Sequence, residues 1–189
     1  MNYLNELKEY AKEHYVPIAR LDVVEYLDTL IKKNKYQTFL EIGTAIAYTS
    51  IYLALQNKIS IVTVERDLQM FKTAKDFINK YQALNILQIY EAASYFYPEN
   101  KYDLIFIDAN KSHNLLYLQR YLKCLTSQGT IVIDNINLND LLGDVPIKKK
   151  QKYEMINQTL IENIQKIPNI EYQIKREIGD GIAIIKQSF

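Results

Sequence analysis

A chain of 189 residues, 48% hydrophobic and 24% charged, has the makeup of a single globular domain, read over 1–189, with enough length for a substantial core. Its net charge of +1 neither demands nor excludes a nucleic-acid partner, and its single cysteine, Cys124, excludes an internal disulfide framework and fits a reducing, cytoplasmic setting. No apolar stretch is long enough to span a membrane, and Met1 to Glu6 lacks the basic-then-apolar order of a signal peptide.

Leu4, Leu7, Tyr10 and Ala11 recur at helical spacing and predict an amphipathic helix over 2–15, broken by Pro17. Leu21, Val24, Leu27, Leu30 and Ile31 predict a second helix over 21–33. The pattern then changes to short apolar runs alternating with amphipathic segments. Strands are expected at 38–42, 60–64, 86–90, 104–108 and 130–134, with helices at 48–56, 68–81, a short one near Ala93, and 114–125. Such alternation implies a three-layer, doubly wound α/β fold: a mostly parallel sheet with helices on both faces. The last part differs. A helix over 149–167 is ended by Pro168, and strands at 170–175 and 182–186 flank a turn containing Gly179-Asp180-Gly181, which makes them an antiparallel pair. An open parallel sheet finished by an antiparallel hairpin is the Rossmann-like layout of class I methyltransferases.

Two groups of residues carry chemistry. Glu41-Ile42-Gly43-Thr44-Ala45-Ile46-Ala47 follows the first strand and opens a helix. Gly43 can take backbone angles closed to other residues, and Ala45 and Ala47 keep the turn small enough for a ligand to approach the backbone. It is not the G-x-G-x-x-G pattern of dinucleotide sites. Helix N-termini also bind carboxylates, so the amino-acid end of a cofactor such as S-adenosylmethionine is a candidate occupant. Glu65 ends the second strand, where an acid typically accepts hydrogen bonds from ribose hydroxyls. The alternative is a tight turn plus a helix-capping acid.

The second group lies downstream. The runs Asp103 to Asp108 and Gly129 to Asn135 each read as a buried strand ending in acid. If the two strands are parallel neighbours, Asp108, Asp134 and Asn135 converge at one sheet edge. Three oxygen donors there suit Mg²⁺ or another hard divalent cation. Such an ion would hold a substrate hydroxyl, favour its oxyanion and orient it for attack on a methyl group. Lys111 is a candidate to take the hydroxyl proton; its alternative is a solvated lysine at a helix start. His113 and His14 read as surface residues, and Cys124 as core.

These residues resemble a known family. Glu41-Ile42-Gly43-Thr44-Ala45, Val64-Glu65-Arg66-Asp67, Phe106-Ile107-Asp108-Ala109-Asn110-Lys111 and Ile133-Asp134-Asn135 are similar to the cation-dependent O-methyltransferases related to catechol and caffeoyl-CoA O-methyltransferases. The likeness extends over most of the chain. Within the family, Val16-Pro17-Ile18 and the Glu41 to Ile46 turn most resemble small bacterial enzymes that methylate 5-hydroxyuridine at the wobble position of tRNA. The resemblance implies Mg²⁺ at Asp108, Asp134 and Asn135, cofactor ribose at Glu65, and the methionine end at Gly43, Tyr48 and Thr49, with Asp108 meeting its amino group. It also implies adenine contacts at Glu91 and Ala92, a lid formed by Val16 and Ile18, and Lys111 and Asp108 as catalytic groups. A tRNA anticodon stem-loop partner and a homodimer follow from the same resemblance. Ala47 departs from a position where glycine is common, and Tyr90 precedes Glu91 where many relatives carry a small residue and Asp. The segment Ile136-Asn137-Leu138-Asn139-Asp140 departs too. Lys148, Lys149, Lys150 and Lys152 form the one basic run, read either as a phosphate contact or as a solvated helix start. Two other functions stay open: an O-methyltransferase of a small catechol-like diol, and a non-catalytic nucleotide-binding or scaffold protein.

Overall fold

The computed structural model describes residues 4–137 and 146–188. Two helices come first, α1 (Asn5–Glu13) and α2 (Leu21–Asn34). They are followed by β1 (Thr38–Ile42), α3 (Tyr48–Gln56), β2 (Ser60–Glu65), α4 (Leu68–Lys80) and β3 (Ile86–Tyr90). The remainder is β4 (Tyr102–Ile107), α5 (Asn114–Tyr121), β5 (Leu125–Ile133), α6 (Ile147–Ile164), β6 (Ile170–Lys175) and β7 (Ile182–Gln187). The strands make one sheet in the order β3-β2-β1-β4-β5-β7-β6. The first five in that order pair in parallel, and β7 runs antiparallel to both β5 and β6. The expected doubly wound architecture is present, with β7 rather than β6 beside the parallel part.

Strand alternation builds two apolar layers. Phe39 and Leu40 are neighbours on β1, yet they enter different clusters on opposite faces. Leu104 and Phe106 of β4 and Val132 of β5 join Phe39 beneath α1 to α4. Ile105, Ile107, Ile131 and Ile133 join Leu40 beneath α5 and α6. All of these side chains are fully buried. At roughly 1.5–3 kcal/mol for each large apolar side chain buried, the two layers dominate the stability of the sheet.

Several boundaries differ from expectation. The first helix begins at Asn5 and ends at Glu13, while Asn2 and Tyr3 lie outside the described residues. The short helix expected near Ala93 is a single turn, closed by Tyr95 and Phe96 N–H groups donating to the Ala92 carbonyl. Four residues cannot propagate a helix from one such turn. The helix expected over 114–125 is shorter, flanked by 3₁₀ turns at Lys111–His113 and Leu122–Cys124, because β5 already starts at Leu125. Cys124 is half-buried in the second of these turns, packed against the core. The last helix runs Ile147–Ile164, ending before Pro168 is reached.

Sequence order runs outward from β1 to β3, then returns to β4 on the other side of β1. Strand-to-helix connections therefore diverge at the carboxyl ends of β1 and β4, and this divergence opens a crevice there. Among the described residues, no helix is long and apolar enough to cross a membrane.

Candidate active site

The crevice is a cavity of about 810 Å³. Its floor is the turn after β1. Gly43 has φ +103°, and a β-carbon there would overlap the backbone carbonyl oxygen of Asp108. Ala45 and Ala47 also take positive φ, at 47° and 65°. Two alanines in the left-handed region within three residues is unusual and costly, and such strain concentrates at ligand sites.

Glu65 is locked to this turn. Its Oε2 accepts from the Ala45 N–H at 2.9 Å, and its Oε1 accepts from the Arg66 and Asp67 N–H groups at 2.8 Å each. A carboxylate offers about four lone-pair sites, so Glu65 keeps acceptor capacity toward the cavity it lines. Glu91 extends the ladder by donating its N–H to the Glu65 carbonyl at 3.0 Å, and Glu91 and Ala92 line the same end. Tyr48 and Thr49, at the start of α3, are buried and border the floor. Ile18 lines the cavity, whereas Val16 is half-buried against the core and does not line it. Donors and acceptors here fit the ribose and amino-acid parts of a nucleoside-type cofactor.

On the other side of Gly43 stand the expected oxygen donors. Asp108 N–H donates to the Ile42 carbonyl at 2.9 Å, and Asp134 N–H to the Ile107 carbonyl at 3.0 Å. These bonds carry the parallel register one residue past β4 and β5, so both acids emerge at the same edge. Asp108, Asp134 and Asn135 all line the cavity. Asn135 has φ +58°, an angle asparagine tolerates better than most residues. Asp134 is 2% exposed. Burial, then the charge of Asp108, pushes its carboxyl well above the ordinary carboxylate range, opposed by Lys111 and by the Asn135 N–H at 2.7 Å. A buried acid beside a second, partly exposed one favours a nearby cation, and carboxylates plus an amide oxygen suit a hard divalent ion. Among the described residues no three His, Cys, Asp or Glu side chains form a metal-binding group, so the candidate set consists of two acids and one amide. Lys111 Nζ lies 2.6 Å from Asp108 Oδ1, both side chains about one-fifth exposed. His113 is exposed and also borders the cavity, with its ring 5.9 Å from that of Tyr117.

Of the lining residues without an assigned role in the sequence reading, three stand out: Glu41, Arg20 and Asp180. Glu41 lies beneath the floor, fully buried, and accepts from Ser50 Oγ and Thr63 Oγ1 at 2.6 Å each. Burial raises its carboxyl to about 7, with those two hydroxyls and Thr49 pulling it down and Asp108 pushing it up. An acid among Phe39, Leu40 and Ile42 on a buried strand is the signal that marks it. Arg20 and Asp180 come from the start of α2 and from the β6–β7 turn, and nothing in their local sequence connects them. Asp140, Asn139 and Leu138 of the departing segment lie outside the described residues.

A model of the family described as O-methyltransferase matches residues 1–188. Caffeoyl-CoA O-methyltransferase 2 of Petunia hybrida is 25% identical over 204 residues, spanning 97% of this chain and 83% of that one. The structure of a candidate caffeoyl-CoA O-methyltransferase from Staphylococcus aureus superposes with a TM-score of 0.88 at 28% identity, covering 98% of this chain and 92% of that one. The SAH-bound methyltransferase PaMTH1 of Podospora anserina gives 0.85 at 21% identity, covering 100% and 89%, a likeness of fold.

Proposed function

The chain belongs to the O-methyltransferase family, and from that premise we propose that it transfers the methyl group of S-adenosylmethionine to a hydroxyl oxygen with a divalent cation, Mg²⁺ for preference. The carrying observation is the convergence of Glu65 on one side of Gly43 and of Asp108, Asp134 and Asn135 on the other, in one cavity. The family match and the SAH that accompanies PaMTH1 support the cofactor. The donor chemistry of the two acids and the amide supports the cation.

In this reading Glu65 binds the ribose hydroxyls, and the floor from Gly43 to Thr49 takes the methionine end. Asp108, Asp134 and Asn135 would hold the cation, which supplies charge that favours an oxyanion on the acceptor. Lys111, in its neutral amine form, takes the acceptor O–H proton and becomes the ammonium that pairs with Asp108. The freed oxygen pair forms the new O–CH₃ bond as the S–CH₃ bond breaks, and S-adenosylhomocysteine leaves with the sulfur pair. Bringing oxygen and methyl carbon together in line is the main service of the geometry.

For the acceptor we propose 5-hydroxyuridine at the tRNA wobble position, giving 5-methoxyuridine. Support comes from the resemblance carried by Val16-Pro17-Ile18 and the Glu41 to Ile46 turn, together with the exposed basic run at Lys148, Lys149 and Lys152. A second reading, a small catechol-like diol, is favoured by the name of the Petunia relative. The homodimer and the cytoplasmic setting belong to the same proposal. A non-catalytic scaffold has no use for the converging oxygen donors.

Purified protein and S-adenosylmethionine are incubated with tRNA carrying 5-hydroxyuridine, and separately with catechol, with and without EDTA. Products are followed by mass spectrometry. Metal-dependent methylation of the tRNA nucleoside is the expected result. Methylated catechol alone selects the second reading, and no cofactor binding removes both.

A further inference from the structure

The β6–β7 turn is tied at once to α2 and to the strand end that carries Asp134. Arg20 Nη1 donates to Asp180 Oδ1 at 2.8 Å, and Gly179 N–H donates to Asp22 Oδ2 at 2.8 Å. On the other side, Asn137 N–H donates to the Asp180 carbonyl at 2.8 Å and Ile136 N–H to the Gly181 carbonyl at 3.0 Å. Gly179 is the spacer. At φ +55°, a β-carbon on it would overlap Val23, and would lie 3.8 Å from Asp134 Oδ1 and 3.9 Å from Arg20 Cδ. The Arg20 side chain and the Asp134 carboxylate therefore both border this one glycine position.

Arg20 and Asp180 both line the cavity, on the side away from Glu65 and Glu91. Of the other cations there, Lys111 faces Asp108, and Arg66 follows β2 on the cofactor side. The Arg20 side chain is 53% exposed, and among the described residues its one hydrogen bond is made by Nη1; Asp22 stands 4.0 Å from Nε, too far for another. A guanidinium has five N–H donors in a rigid fork. Asp180 holds one prong and leaves the rest presented at the mouth. Fixing the side chain this way removes in advance part of the rotamer freedom that binding would otherwise cost.

We propose that Arg20, aimed by Asp180, is a specificity-determining residue that grips an anionic group, phosphate or carboxylate, on the methyl acceptor. A planar fork meets both groups bidentately. The surrounding carboxylates, Asp108, Asp134 and Asp180, otherwise repel an anion, so an acceptor carrying one has Arg20 as its counter-charge on this side. Asp180 is then a positioning residue. The inference rests on the methyltransferase reading and extends it to the chemistry of the acceptor.

Wild-type protein, R20Q and R20K are each saturated with S-adenosylhomocysteine and Mg²⁺. Two matched pairs are titrated by calorimetry: catechol against 3,4-dihydroxybenzoate, and 5-hydroxyuridine against its 5′-monophosphate. The wild type is expected to bind the anionic member of at least one pair about 10-fold more tightly, and R20Q to reduce that ratio to about one with the neutral member unchanged. R20K retains part of it. The pair that shows the ratio identifies carboxylate or phosphate as the source. An equal ratio in wild type and R20Q, a wild type without preference, or no acceptor binding at all overturns the proposal. Binding of S-adenosylhomocysteine, measured first, reports on the methyltransferase reading separately: its absence removes that reading, while its presence with an unchanged ratio removes only the role of Arg20.

Discussion

Gly43 lies directly against the carbonyl of Asp108, and the β-carbon of any other residue at 43 would occupy the same space as that oxygen. The cofactor turn after β1 and the acid after β4 are thereby held in contact through backbone alone. Asp108 belongs to both halves of the site for this reason: its backbone borders the cofactor floor, and its carboxylate stands with Asp134 and Lys111.

Gly43→Ala is the direct test of that contact. The substitution meets both a positive φ and immovable backbone, so it is expected to cost about 1–3 kcal/mol of stability and to displace Asp108. Thermal unfolding should show a lower Tm. Calorimetry should show S-adenosylhomocysteine binding weakened about 10-fold or more, since each 1.4 kcal/mol is a factor of ten.

Lys111→Met keeps most of the side-chain length, one atom short, and removes the proton-accepting nitrogen. General base catalysis contributes roughly 10²–10⁴-fold, so kcat should fall by about that much while S-adenosylhomocysteine binding persists. An unchanged kcat would leave Lys111 as a partner of Asp108 and no more.

Glu41 gives the pH prediction. Its folded carboxyl is raised from an ordinary 4.5 to about 7, chiefly by burial. Below the ordinary value both folded and unfolded chains hold the proton, and the full stability is present. As pH rises toward about 7 the unfolded chain ionises first, so stability is lost, and the loss levels off above that point. Glu41→Gln keeps an acceptor for Ser50 and Thr63 without a titrating proton. Urea unfolding of the cofactor-free protein should therefore show the variant gaining on the wild type between pH 5 and pH 8. A constant difference would place the Glu41 titration outside this range.

Periodicity made much of the fold legible in the sequence. The bounds of β1, α3, β3 and β6 are those expected from the apolar pattern; β1 reads as an apolar run because it is buried on both faces, and the others from apolar spacing between turn residues. The turn at Ala93 and the breaks around α5 were not legible. Tyr121 ties the two regions together, its hydroxyl donating to the Ala93 carbonyl at 2.7 Å across 28 positions of sequence, a contact that no local pattern records. The site divides in the same way. Gly43, Glu65, Asp108, Asp134 and Asn135 stand at strand ends, where position follows from strand order. Arg20 and Asp180 meet across 160 positions, brought together by the β6–β7 turn, and no local pattern records such a meeting.

The central claim is that one side of the cavity holds a divalent cation on Asp108, Asp134 and Asn135 while the other holds the cofactor. The most direct measurement is a Mn²⁺ titration, followed by electron paramagnetic resonance, of wild type and Asp134→Ala, each saturated with S-adenosylhomocysteine. Saturable Mn²⁺ binding to wild type, reversed by Mg²⁺ and lost in the variant with S-adenosylhomocysteine still bound, is the predicted result. Equal Mn²⁺ binding by the two proteins, or none by wild type, would contradict it.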